Sequence, residues 1–292
     1  MIVSVCTVTF NRRPFIPAMI QCYLNQTYTG TKEWIIVDDG TDPIWDIVSH
    51  VPGIKYIRLD KKHTLGHKRN IMHENASGDI LVYMDDDDYY PPERISHAVE
   101  TLLGCDALCA GSSILHIYYP HLDEIVEFGP YGKSHATAGT FALKRELLGQ
   151  TSYDESASMS EEQHFLKNYT IPFVQLDPLK TILVVAHSQN TFDKTKMLDQ
   201  STAFMHSTKL TMDDFIKEKS LIHFYKTDIH KTLHSYVDGN ATQKPESLQY
   251  IAEMDFNRTY VVKFGDRLIR GHELVDLLNY QNQKIRALEA KL

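Results

Sequence analysis

Ile80-Leu81-Val82-Tyr83-Met84-Asp85-Asp86-Asp87-Asp88-Tyr89-Tyr90-Pro91-Pro92 is the stretch that decides the fold. An unbroken apolar run of strand length stops at four consecutive carboxylates. Pro91-Pro92-Glu93-Arg94 then opens a helix, since Pro and Glu both favour a first turn. The same punctuation recurs upstream. Residues 2–8 form a β-branched run that ends at Thr9-Phe10-Asn11-Arg12-Arg13-Pro14, and residues 33–37 form another that ends at Asp38-Asp39-Gly40-Thr41-Asp42-Pro43. Residues 54–59 supply a further strand, and Ile16, Met19, Ile20, Tyr23 and Leu24 fall at helical spacing. Strands alternating with helices in this way predict an α/β sheet with helices packed on its faces.

The rest of the chain fits around that sheet. With 292 residues, 42% of them hydrophobic, the chain can bury a sizeable core as one large domain or a domain with an appendage. The 30 Lys and Arg face 38 Asp and Glu, and this net charge of −8 with no basic stripe argues against a nucleic-acid partner. Residues 1–8 lack a basic leader, and no apolar run reaches the roughly 20 residues that span a bilayer. Cys6, Cys22, Cys105 and Cys109 show no CxxC spacing, so the expected setting is soluble, reducing and cytoplasmic.

Residues 114–119 and 182–185 read as strands, and residues 161–169 as a helix. The character changes near Lys209, which predicts an α/β domain over residues 1–208 and a mainly helical region over residues 209–292. In that region residues 213–224 and 245–253 look helical, and residues 259–264 look like a strand. A terminal helix over residues 272–292 carries Leu274, Leu278, Ile285, Leu288 and Leu292 spaced by threes and fours, with Gln281 in the remaining seam position. It is expected to dock on a partner or pair with a second copy; folding back on its own domain is the alternative.

In an open α/β sheet, ligands bind beyond the carboxyl ends of the strands. All three polar clusters should therefore share one edge. Four adjacent carboxylates repel one another, and a hard divalent cation, Mg²⁺ or Mn²⁺, relieves this while bridging to phosphate oxygens. A solvated acidic turn before a helix is the alternative. Asp38-Asp39-Gly40 is either a plain turn or a place for a carboxylate to accept from the N3–H of a uracil. Lys68-Arg69 offers two cations to a diphosphate, or simply begins a solvated helix. With no GxGxxG after the first strand, no GxxxxGK[ST] and no GxSxG, dinucleotide, P-loop and α/β-hydrolase chemistry lack support.

Taken in order, Thr9-Phe10-Asn11-Arg12, Val37-Asp38-Asp39-Gly40-Thr41, Arg69-Asn70 and Met84-Asp85-Asp86-Asp87-Asp88 resemble the motif series of a family 2 glycosyltransferase. The likeness is good over residues 1–105 and fainter to about residue 195. It implies the GT-A fold, a nucleotide-sugar donor that is usually UDP-linked, and Mn²⁺ or Mg²⁺. It also implies that Thr9, Asn11, Arg12 and Asp39 serve the nucleoside, with Arg69 near the donor. The family's D-x-D signature falls on Asp85 and Asp87, with Asp87 for the metal and Asp85 or Asp86 for the ribose; the run of four leaves the register open by one residue. Ser160-Glu161-Glu162-Gln163-His164-Phe165 resembles the family's acid pair, with Glu-Glu in place of Glu-Asp. That match makes Glu162 the base and puts Glu161 at the acceptor, although the same stretch alone reads as a helix N-terminus.

His187 corresponds to a histidine that the family carries near the diphosphate or metal, and a lone histidine is otherwise structural. Gly139-Thr140-Phe141 resembles the stretch that shapes the sugar and acceptor pocket. The implied reaction is a single inverting displacement from a UDP-sugar, UDP-glucose first, to a glycan, lipid or protein hydroxyl. A catalytically inert nucleotide-sugar-binding scaffold acting through the C-terminal helices is the second reading. A nucleotidyltransferase would carry a glycine-rich basic loop, which Arg12-Arg13 does not supply.

Overall fold

In the computed structural model, residues 1–198, 203–264 and 267–289 are described. The chain divides into two compact units, Met1–Gln243 and Lys244–Leu292. The strands of the first unit are β1 (Ile2–Thr9), β2 (Thr31–Asp38), β3 (Ile54–Arg58), β4 (Ile80–Tyr83), β5 (Cys109–Gly111), β6 (Leu115–Tyr119), β7 (Glu124–Phe128), β8 (Ala142–Lys144), β9 (Phe173–Gln175), β10 (Val184–Val185) and β11 (Met205–Ser207). Seven of them form one sheet in the order β3-β2-β1-β4-β8-β5-β9, and β10-β6-β7-β11 form a smaller one. Strands β1 to β4 are parallel, and β8 inserts antiparallel between β4 and β5. The chain winds outward from β1 to β3 and then returns to the other side of β1, so the switch point lies between β1 and β4. A crevice for ligands opens there, beyond their carboxyl ends.

Period-two burial explains the layers. Val3, Val5, Trp34, Ile36, Ile80 and Val82 face one core, under the helices Ile16–Leu24 and Arg94–Leu103. Cys6, Ile35, Val37, Leu81 and Tyr83 face the other, with Met72 and Ala76 at the helix Leu65–Asn75. A polar relay crosses from β2 through β1 to the end of β4. Trp34, fully buried and stacked 4.5 Å from Tyr23, donates its indole N–H to Thr7 Oγ1 at 2.9 Å, and Thr7 donates to the Met84 carbonyl at 2.7 Å. This fixes the backbone directly ahead of Asp85. Arg94, also fully buried, donates from Nη2 to the carbonyls of Tyr83, Thr140 and Phe141, and so ties residues 138–141 to the end of β4.

Three elements differ from the sequence expectation. The helix at residues 161–169 is a single turn, Glu162–Phe165, because Phe165 and Leu166 plunge into the core and Lys167, Asn168 and Tyr169 take left-handed backbone angles. The helix at residues 213–224 is split into Met212–Phe215 and Lys219–His223. Ile216 between them is extended and fully buried, so packing overrides helical periodicity. The first unit also runs past the change of character near Lys209, since Met212, Phe215, Ile216, Leu221, Ile222 and Tyr225 all join its main core.

The second unit contains the helix Pro245–Thr259, the antiparallel pair β12 (Val261–Phe264) and β13 (Arg267–Arg270), and the helix Gly271–Glu289. Leu278 and Ile285 on that helix are exposed. Leu292 lies outside the described residues. Among the described residues no helix is long and apolar enough to cross a membrane.

The relay through Thr7 makes an isosteric test available. Thr7→Val keeps the volume but leaves the Trp34 indole N–H and the Met84 carbonyl buried without their partner. It should lower stability by about 1–3 kcal/mol, read as a lower urea midpoint at an unchanged slope. An unchanged midpoint would mean that the relay carries no stability.

Candidate active site

Asn11, just past β1, sits at φ 53°, a left-handed conformation that Asn tolerates. From there its Oδ1 accepts from the backbone N–H groups of Thr41 at 2.7 Å and Asp42 at 3.1 Å, and its Nδ2 donates to the Asp238 carbonyl at 2.8 Å. The loops after β1 and β2 are thereby locked together. Thr9 Oγ1 is buried with no hydrogen-bond partner.

After β2 the two aspartates divide their work. Asp38 holds the turn, accepting from Tyr56 Oη at 2.6 Å and from the Gly40 N–H at 2.8 Å. The carboxylate of Asp39, with no exposed side-chain surface, pairs with Lys68 Nζ at 2.7 Å and accepts the His63 N–H at 2.7 Å. Burial works against the Lys68 charge and lowers its pKa, with Asp39 opposing.

The acidic run after β4 alternates. Asp86 and Asp88 are buried, whereas Asp85 and Asp87 are half-buried. Asp88 points back into the fold, accepting the Val185 N–H at 3.0 Å, and burial together with Asp87 raises its pKa well above the usual carboxylate range. Asp86 and Asp87 face Arg12, whose Nε lies 3.9 Å and 3.4 Å from their carboxylates. Asp85 is set by Tyr90, whose hydroxyl accepts the Asp85 N–H at 2.6 Å and donates to the Gly139 carbonyl at 3.1 Å. A Cβ on Gly139 would come within 2.6 Å of Asp85 Oδ2, so a side chain there would displace the carboxylate.

Glu161 and Glu162 have different surroundings. Glu161 is buried against Arg69, with Nε 2.7 Å from its Oε1 and both side chains 4% exposed. The same guanidinium lies 3.8 Å from Asp85 and sits over the rings of Tyr83 at 4.9 Å and Tyr153 at 5.8 Å. Tyr153 in turn stacks 4.4 Å from Phe165, at the end of the turn that begins with Glu162. One cation therefore joins the acidic run to the acid pair. Burial, and then the adjacent Glu161 charge, push Glu162 up to about 7. A carboxyl there is poised to exchange a proton near neutral pH.

His187 Nε2 lies 3.2 Å from Asp87 Oδ2, and its ring packs 4.7 Å from Phe15. Its side chain is fully buried, and burial lowers its pKa to about 4 despite the opposing Asp87 charge, which keeps the ring neutral. Among the described residues no group of three or more His, Cys, Asp or Glu is arranged to hold a metal ion.

Apart from Glu162, which adjoins Glu161, the site residues singled out from sequence fall in three linked groups at one edge of the sheet: Thr9 and Asn11 by Asp39 and Lys68; Arg12 with Asp86, Asp87 and His187; Arg69 with Asp85 and Glu161. Sequence reasoning missed Tyr83, Tyr153 and the segment around Asp238-Gly239. For that segment the only signal was the Asp-Gly dipeptide, which marks a turn and nothing more.

Comparison with known proteins places this arrangement. Residues 4–148 match the family description "Glycosyl transferase family 2". The chain is 28% identical over 100 residues to the UDP-Glc:alpha-D-GlcNAc-diphosphoundecaprenol beta-1,3-glucosyltransferase WfaP of Escherichia coli, covering 34% of this chain and 40% of WfaP. The matched stretches span about two fifths of the length of the curated relatives. Among solved structures, S. aureus TarS 1-349 in complex with UDP-GlcNAc has a TM-score of 0.52 at 19% identity, over 63% of this chain and 58% of that one. The mannosyltransferase PcManGT from Pyrobaculum calidifontis, in complex with GDP-Man and Mn²⁺, has a TM-score of 0.52 at 15% identity, over 88% and 80% of the two chains. These likenesses show the fold, a mixed α/β sheet with flanking helices of the GT-A kind. With its ordered motifs gathered at the switch point of that sheet, residues 4–148 form a glycosyl transferase family 2 domain.

Proposed function

We propose that the protein is an inverting glycosyltransferase that moves a sugar from a UDP-linked donor, UDP-glucose first, to an acceptor hydroxyl on a glycan, lipid or protein. The observation that carries this reading is the Arg69 bridge. It places Glu161, beside a carboxyl pushed up to about 7 at Glu162, next to the acidic run at the mouth of the sheet. An inert scaffold has no use for a carboxyl held in that state. The WfaP name supports UDP-glucose, the TarS complex supports a UDP-sugar more broadly, and GDP-Man in PcManGT makes GDP the nucleotide to test against.

Thr9, with its unpartnered hydroxyl, Asn11 and Asp39 form the nucleoside side, and Asp86 beside Arg12 the ribose side. Because the Asp39 side chain is fully covered, a uracil N3–H reaches it only after the loop at His63 withdraws. Mn²⁺ or Mg²⁺ would be held by Asp87, with Asp85 and the neutral His187 alongside. A carboxylate and an uncharged imidazole 3.2 Å apart are a donor set that such a cation accepts. When bound, the metal would supply neutralising charge to the leaving diphosphate. Lys68 and Arg69 add positive charge at the same edge. Glu162 takes the proton from the acceptor hydroxyl as its oxygen attacks the anomeric carbon, and Glu161, held by Arg69, orients the acceptor. In the same reading the second unit is a docking or oligomerising element.

Glu162→Gln should abolish transfer and leave UDP binding unchanged, measured by turnover and calorimetry on the same preparation; normal turnover would remove Glu162 from the base role. The ionised carboxylate is the active form, so kcat/KM should rise with pH to a plateau above about 7, falling roughly tenfold per unit well below that value. A flat profile between pH 5 and 8 would contradict the assignment.

A thermal-shift panel of UDP, GDP, TDP and CDP, each with and without Mn²⁺, tests the donor. A ligand at 100 times its Kd stabilises by roughly 2.7 kcal/mol. UDP with Mn²⁺ should give the largest shift. A preference for GDP would discard the uracil assignment and keep the transferase, and no shift with any nucleotide would favour the scaffold.

A further inference from the structure

Two contacts on Asp87 converge on the same oxygen: Arg12 Nε at 3.4 Å and His187 Nε2 at 3.2 Å. His187 is held nearby, by the Gln189 N–H at 3.2 Å from Nδ1 and by Asn190 Nδ2 at 2.9 Å from Nε2, and one distant stretch of the chain backs both side chains. Arg12 is buried and spends both terminal nitrogens on carbonyls, Nη1 on Gly239 at 2.9 Å and Nη2 on Gln189 at 2.7 Å, which leaves its Nε edge toward the acidic run. Gln189 is itself fully buried and donates through Nε2 to the carbonyls of Leu233, at 3.3 Å, and Tyr236. His187 is reached by another route. Its ring lies against Phe15, which forms a small closed cluster with Ile229 and Leu233 of the helix Ile229–Ser235. The loop is fastened from outside as well, by Asn11 to the Asp238 carbonyl and by Tyr236 Oη to Asp42 at 2.9 Å.

We propose that residues 229–239 form a clasp that positions Arg12 and His187 on Asp87, and so sets the affinity of the site for its divalent cation. The proposal rests on the reading of Asp87 as a metal-holding residue. The helix half of the clasp acts through the Phe15 ring on His187, and the loop half acts through backbone carbonyls on Arg12. Gly239 is the tightest point. A Cβ there would lie 2.1 Å from Gln189 Oε1 and 2.7 Å from the Asn11 carbonyl oxygen, so even alanine forces the loop off its seat. Partners that orient a metal-holding side chain typically change metal affinity about 10–100-fold when lost.

The test is Mn²⁺ binding to the full chain at saturating UDP, followed by the electron paramagnetic resonance signal of the free ion. The variants are Asp87→Asn, Leu233→Ala and Gly239→Ala, with Val126→Ala in the small sheet as a control for general loosening, and melting temperature recorded for each. We expect wild type to bind, Asp87→Asn to lose binding, and both clasp variants to weaken it about 10–100-fold while Val126→Ala leaves it unchanged. Leu233→Ala keeps every loop hydrogen bond and carries the test alone if Gly239→Ala does not fold. Wild-type affinity in the clasp variants, with binding lost in Asp87→Asn, would overturn the clasp and leave the metal reading standing. Equal weakening by Val126→Ala at equal loss of melting temperature would also overturn it. No Mn²⁺ uptake by wild type, or full uptake by Asp87→Asn, would overturn the metal reading itself, and the clasp with it.

Discussion

Everything at the mouth of the sheet depends on balancing buried negative charge. The strand ends deliver Asp39 and the run Asp85 to Asp88, and the single turn after Ser160 adds Glu161 and Glu162. Carboxylates brought out of water this closely stay ionised only when cations share their burial. Three do: Arg12, Lys68 and Arg69, each less than a tenth exposed. Each neutralises a different part of the edge, Lys68 at Asp39, Arg12 at Asp86 and Asp87, and Arg69 at Asp85 and Glu161. Asp88, which instead accepts the Val185 N–H, and Glu162 stand outside this pairing, and burial pushes both up, as it also does Asp85 despite Arg69. The edge is thus partitioned into carboxylates paired with buried cations and one partly exposed carboxyl, Glu162, pushed up to about 7.

Arg69 deserves its place between the two halves for a mechanical reason as well. Its guanidinium is fixed by a carboxylate on either side and by two aromatic rings, and Tyr153 stacks on Phe165 of the turn that carries Glu162. A planar, always-charged group with several donors can do this; an ammonium on a flexible stem cannot. A shift at Asp85 would therefore be felt at Glu161, so in the proposed reaction the donor side and the acceptor side share one rigid connector.

Legibility in the sequence follows from how each part is built. The strands β1, β2 and β4 were readable because each is largely buried on both faces and stopped by a polar cluster, and the ends of β1 to β4 fall within two residues of expectation. The clusters were readable as one site because parallel strands must place their carboxyl ends together. Pairings were not. Nothing in the spacing of Arg69 and Glu161 says that they meet, since the contact crosses from one helix to a turn 92 residues away. The four-aspartate run was ambiguous by one residue in sequence, whereas the alternation of covered and open side chains distinguishes Asp85 and Asp87 from Asp86 and Asp88. The turn at residues 162–165 was overextended because helical periodicity cannot register that Phe165 is needed in the core.

The segment beyond Lys209 was hardest to read, and the reason is physical. Its first helices, Met212–Phe215 and Lys219–His223, contribute apolar side chains to the main core, a role that composition does not distinguish from a separate helical region. Its contacts with the site run largely through the main chain. Tyr236, Asp238 and Gly239 all offer carbonyls, to Gln189, Asn11 and Arg12 in turn, and Tyr225 reaches the acidic run with its side chain, donating to the Asp88 carbonyl at 3.0 Å. A carbonyl is the same on every residue, so a loop that works in this way leaves almost no code in the sequence. The exception is a position where the backbones come too close for a Cβ, and Gly239 is that position. A single glycine in an unremarkable Asp-Gly turn is therefore the only residue through which the loop's part in the site could have been read.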